Sequence, residues 1–214
     1  MRVKRWVRFT IIPATLAVAG LAVASSIGPP RNRTGAPAIG GVGAESTCLN
    51  CHSGSPINGS ATLTFVNAPN FYVAGQTYTF SVQLASTATS GNANRVWSFE
   101  LTAVNQSNGQ GAGTFANVAG QGTAIISGSG SYSTRRYIEE ATDDRVGATS
   151  PQTWQVQWTA PDPGVGSIGF YAAGIAGNGN GQTSGDYVAT ASQVMADVTP
   201  TEQVTWGKVK ALFR

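Results

Sequence analysis

Charge is scarce in this 214-residue chain: Asp, Glu, Lys and Arg together make 11%, against roughly 25% in an average globular protein. Histidine occurs once, at His52, cysteine only at Cys48 and Cys51, and methionine twice. A single histidine excludes bis-histidine iron coordination within one chain. Its place beside the second cysteine also disfavours a Ser-His-Asp hydrolase. The apolar run at 11–24 is too short for a comfortable membrane span. No repeat of solenoid length occurs.

What is abundant is apolar and turn-forming. Hydrophobic residues make 41%, enough for a sizeable core, and 27 Gly and 10 Pro exceed the usual share without a collagen-like period. This profile suits a secreted, turn-rich β protein and disfavours a cytosolic helical one.

The formal net charge of +3 misleads. Arg2, Lys4, Arg5 and Arg8 precede the apolar run, which closes on Ala22-Val23-Ala24. A basic start, an apolar centre and small residues at the end predict a signal peptide over 1–24, hence an exported protein. Beyond it, nine basic and ten acidic residues remain, a net of −1. That removes the electrostatic basis for a nucleic-acid partner.

Residues 25–57 form a Gly/Pro/Ala-rich segment, expected as an extended leader lying on the surface and carrying Cys48-Leu49-Asn50-Cys51-His52. Period-two alternation then begins. Ala61, Leu63 and Phe65 share a side in 60–66; Tyr78, Phe80, Val82 and Leu84 do so in 77–84. Trp97, Phe99, Leu101 and Ala103 repeat the pattern, as do Trp154, Val156 and Trp158. These are half-buried strands. Weaker strands are predicted at 123–127, 131–138, 167–175 and 186–198, with turn signals such as Pro-Asp-Pro-Gly at 161–164 and Gly-Asn-Gly-Asn-Gly at 177–181 between them. Some eight strands with one apolar face each pack sheet on sheet, so one antiparallel β-sandwich is expected over 58–199. Residues 200–214 read as a basic amphipathic tail with Trp206, Leu212, Phe213, Lys208 and Lys210, a candidate for attachment to a membrane surface or cell envelope, against a reading as a frayed terminus.

Cys-x-x-Cys-His is the attachment signature of c-type haem. Two thiols at this spacing reach the two vinyl groups of one porphyrin, and the adjacent imidazole binds iron as the proximal ligand. Covalent attachment also retains haem on a loop too exposed to enclose it. The rivals are a Cys48–Cys51 disulfide or redox pair, and a metal site for which three ligands are one short of structural zinc. Only haem uses all three residues. Cys48, Cys51 and His52 are thus the expected cofactor-binding residues, with one covalent haem c. Met195, the only methionine after the signal peptide, is the candidate sixth ligand, against a reading as gap filler in the last strand. Arg135 and Arg136 are candidate partners for haem propionates, but adjacent residues on a strand point to opposite faces, so they read as solvated charge. The acidic group Glu139, Glu140, Asp143 and Asp144 suggests a calcium site or carboxylate pair but matches no loop motif and reads as a solvated loop.

Several segments together resemble the bacterial Reeler-like, choice-of-anchor V secreted proteins. They are the leader Thr34-Gly35-Ala36-Pro37 before the Cys-x-x-Cys-His run, Tyr72-Val73-Ala74-Gly75-Gln76-Thr77-Tyr78, and Trp97-Ser98-Phe99-Glu100-Leu101-Thr102-Ala103. Phe170-Tyr171-Ala172-Ala173-Gly174 with Asn178-Gly179-Asn180-Gly181 and Gly185-Asp186 completes the set. The resemblance covers about residues 34–198 and implies a Reelin-N-terminal-like sandwich fronted by a haem-attachment element. Glu140 stands where the family pattern carries His, and Ile175 where it carries Asn. The expected function is an exported monohaem c-type protein that moves single electrons between redox partners and is not a turnover enzyme. Its rivals are a non-catalytic surface binding or adhesion module with a Cys48–Cys51 disulfide, and a self-associating haem protein whose iron is completed by a neighbouring copy.

Overall fold

The computed structural model describes residues 28–54, 56–87, 95–141, 146–147 and 149–198. The expected signal peptide, the C-terminal tail, Asp143 and Asp144 lie outside these residues. Eleven strands are described: β1 (Ser53–Gly54), β2 (Ala61–Val66), β3 (Phe71–Tyr72), β4 (Thr77–Ser86), β5 (Val96–Asn105), β6 (Thr114–Asn117), β7 (Thr123–Ser127), β8 (Arg136–Glu140), β9 (Gln152–Thr159), β10 (Ile168–Gly177) and β11 (Ser184–Asp197). They form two sheets. One runs β1-β11-β10-β5-β8-β7, with β3 also on β11; the other runs β2-β4-β9-β6. Pairing is antiparallel except that β1 and β3 lie parallel to β11.

The expected sandwich is the fold observed. Alternation in β4, β5 and β9 turns one side of each strand inward, burying Phe80, Val82 and Leu84, then Trp97, Phe99 and Leu101, then Trp154, Val156 and Trp158. Phe170 of β10 ties the two sheets together. Its ring stacks on Phe80 at 4.9 Å and meets Trp158 edge-on at 5.0 Å, spacings at which aromatic quadrupoles attract. The short strands β1, β3 and β6 escaped the sequence reading because two to four residues carry no periodicity. The segment expected as one strand at 131–138 instead divides into a 3-10 turn, Gly130–Tyr132, and β8.

The leader is more than a surface strand. All ten residues of β10 are buried, because the leader and the Cys-x-x-Cys-His turn cover the outer face of the larger sheet. Ala36 and Ile39 pack on Val104 of β5 and Tyr171 of β10. The backbone amides of Asn32 and Arg33 donate to the Glu100 carboxylate at 3.1 and 2.6 Å. Glu45 accepts from Thr34 Oγ1, Arg135 Nη1 and Tyr137 Oη, each at 2.5 Å.

This corrects the reading of Arg135 as solvated. Its guanidinium is wholly buried, pairs with Glu45 and donates twice to the Gly109 carbonyl. Arg136 remains exposed. Glu139 and Glu140 are likewise buried strand residues of β8, not a solvated loop. The sequence pattern missed this layer because polar residues on a strand's outer side ordinarily face water.

Candidate functional site

The Cys-x-x-Cys-His run occupies a 3-10 turn, Cys48–Asn50, that lies against β10 and leads into β1. Thr47 starts the turn, its Oγ1 accepting from the Leu49 amide at 3.3 Å. The Cys48 carbonyl then accepts from the amides of both Cys51 and His52, at 3.2 and 2.9 Å. One carbonyl thus fixes the path of the second cysteine and the histidine.

From there β1 fastens the segment to the sandwich. The Ser53 amide donates to the Thr183 carbonyl at 2.7 Å, and Gly54 pairs with Asp186. Position 54 requires glycine, since a Cβ there would stand 2.6 Å from the Asp186 amide nitrogen and 2.7 Å from its carbonyl oxygen.

The result is a histidine held by a buried acid. His52 Nδ1 lies 2.7 Å from Asp186 Oδ2, with the His52 side chain 23% exposed and that of Asp186 only 3%. A carboxylate accepts and does not donate, so this contact places the ring proton on Nδ1. That leaves the lone pair of the neutral ring on Nε2, the atom able to bind a metal. The other Asp186 oxygen accepts from the Asn178 amide at 2.9 Å. The loop before β11 supports that geometry: Asn178 Oδ1 accepts from the Asn180 amide, and Asn180 Oδ1 from the Gln182 amide. The glycine-rich run that sequence reasoning took as a turn signal is therefore the mount for Asp186.

Cys48 and Cys51 are not joined to each other. Cys51 is exposed and Cys48 half-buried. Desolvation, with the nearby Glu100 charge adding to it, pushes the Cys48 thiol up to about 12, so at neutral pH it is the thiol and not the thiolate.

Met195 does not join this site. It is fully buried in the core, opposite Ile168. Nine residue steps along extended β11 lead from it to Asp186, roughly 30 Å at about 3.3 Å per step. Its side chain faces the interior while His52 sits at the sheet's edge, so the gap-filling role is the one the fold assigns it. Asp186 itself was visible only as part of a Gly-Asp pair, and its role had no sequence signal because His52 lies 134 positions away. Among the described residues, no group of three or more His, Cys, Asp or Glu is arranged to hold a metal ion.

No family model and no curated protein matches this chain. Solved structures similar to it include the Reelin-N domain of F-spondin, at 19% identity and TM-score 0.44, covering 70% of this chain and 94% of that one. The human F-spondin reeler domain is similar at 18% identity and TM-score 0.43, covering 71% and 98%. The seventh ScaB type I cohesin from Pseudobacteroides cellulosolvens follows at 7% identity and TM-score 0.36, covering 68% and 98%. At such identities and TM-scores the functional reading rests on this chain's own residues.

Proposed function

We propose that this protein is an exported, non-catalytic β-sandwich module carrying one covalently attached haem c at Cys48, Cys51 and His52, and that it passes single electrons between redox partner proteins. The observation that supports the reading most is the pairing of two unjoined cysteines with a histidine whose Nδ1 is already engaged by Asp186. Metal-bound histidines almost always donate their second ring nitrogen to such a partner. The donor set therefore fits the group: two thiols for thioether bonds, and Nε2 for iron. When bound, the haem supplies a reversible one-electron couple at iron, and no other redox chemistry is asked of the chain. The protein's part is to fix the turn, present the imidazole and couple both to a rigid sandwich.

The packing of half-buried Cys48 against the sheet favours a second reading, in which the same sandwich is a surface binding module without haem. One experiment separates the two. Full-length protein exported from a host with haem-attachment machinery is expected to show a sharp reduced α-band and a mass gain of one haem. Cys48→Ala and Cys51→Ala should each remove one thioether bond, and the double variant should lose the covalent haem. A colourless wild-type protein with unmodified mass favours the second reading. A spectrum that changes with protein concentration would assign the sixth ligand to a neighbouring copy.

A further inference from the structure

We infer that Asp186 is a positioning residue that sets the donor strength of His52 and thereby lowers the reduction potential of iron bound at Nε2. The inference rests on the haem reading above and extends it to a residue 134 positions away in the chain.

Three features of the structure carry it. First, the contact is short, 2.7 Å, and its acceptor is almost fully shielded from solvent, where a charged acceptor polarises an N–H bond more strongly than in water. Drawing the Nδ1 proton toward the carboxylate places more electron density on Nε2, which favours ferric over ferrous iron. Second, Asp186 is not free to swing away. Its second oxygen is occupied by the Asn178 amide, and its backbone is flanked by Gly54 of β1. Gly185 before it adopts φ +81°, where a Cβ would stand 2.5 Å from Asn178 Nδ2. Third, the mount and the attachment turn are far apart in sequence and are brought together where β1 pairs with β11, so the contact is a product of the fold rather than of the haem-binding segment.

The test compares full-length wild type, Asp186→Asn and Asp186→Glu on two readouts. In protein made without haem attachment, nitrogen NMR of the imidazole should show the Nδ1-protonated tautomer in wild type and a mixture in Asp186→Asn. In haem-loaded protein, Asp186→Asn should raise the midpoint potential by at least a tenfold change in the reduced-to-oxidised ratio, which is 59 mV for one electron. Asp186→Glu should return much of that shift. Asn keeps an acceptor for the Asn178 amide, so unchanged circular dichroism is expected beside the altered potential. A haem-loaded Asp186→Asn with the wild-type potential overturns the role of Asp186 alone. So does an Nε2-protonated wild type. A wild type that carries no haem overturns the functional reading and the effect on potential together.

Discussion

Glu45 and Arg135 show what a single residue contributes here. Both side chains are fully buried, and Glu45 also serves Thr34 and Tyr137. A buried ion pair is weak evidence of net stability, because desolvating two charges offsets their attraction. Removing one partner is another matter. Glu45→Ala strands the Arg135 guanidinium, and a loss of about 3–5 kcal/mol in unfolding free energy is expected by urea denaturation. Adding Arg135→Met should recover a large part of that loss, since the orphaned charge goes with it. Equal loss in single and double variants would show that packing, not charge, dominates. Phe170→Ala should cost a similar amount, roughly 3–5 kcal/mol, by emptying the junction of Phe80 and Trp158.

Among the elements, β1 decides whether the attachment turn and Asp186 meet. It is two residues long, and its approach to β11 leaves no room for a Cβ at position 54. Gly54→Ala is expected to detach β1, leave the sandwich core folded and lengthen or break the His52–Asp186 contact. The check is a pair of measurements: a near-native unfolding midpoint, together with loss of the Nδ1-protonated tautomer. The leader acts on the same scale. It closes over Glu100, whose carboxyl is pushed up to about 9 chiefly by desolvation, while Glu139 beside it rises to about 7, again chiefly through burial.

For the whole molecule those two acids set the direction of pH dependence. Their folded pKa values lie above the ordinary glutamate value of about 4.5, so the folded chain binds protons more tightly than the unfolded one. Their contribution to stability is complete below about 4.5 and is lost as pH rises through 7 and then 9. Unfolding midpoints measured in urea should therefore fall between pH 5 and pH 9. Glu100→Gln, which stays neutral and keeps an acceptor for the Arg33 amide, should flatten the upper part of that decline. A slope unchanged in Glu100→Gln would remove Glu100 as its source.

Much of this architecture was legible in the residue order. Period-two alternation at Tyr78–Leu84 or Trp154–Trp158 is a local property, because neighbouring side chains on a strand must point to opposite faces. The sandwich follows once several such faces need covering. The haem-attachment candidate was equally local, since Cys48, Cys51 and His52 sit within five positions. Three matters were settled only when the chain closed on itself. The fold buries Met195 opposite Ile168, far along β11 from His52. It also shields Glu100, Glu139 and Arg135, together with Glu45 of the leader itself, where a segment whose composition gave no hint of docking closes on the sheet. Lastly, it brings Asp186 to within 2.7 Å of His52. Each depends on which strand edge lies beside which, and strand pairing is chosen by the global fit of two sheets and their covering segments. No window of neighbouring residues contains that information.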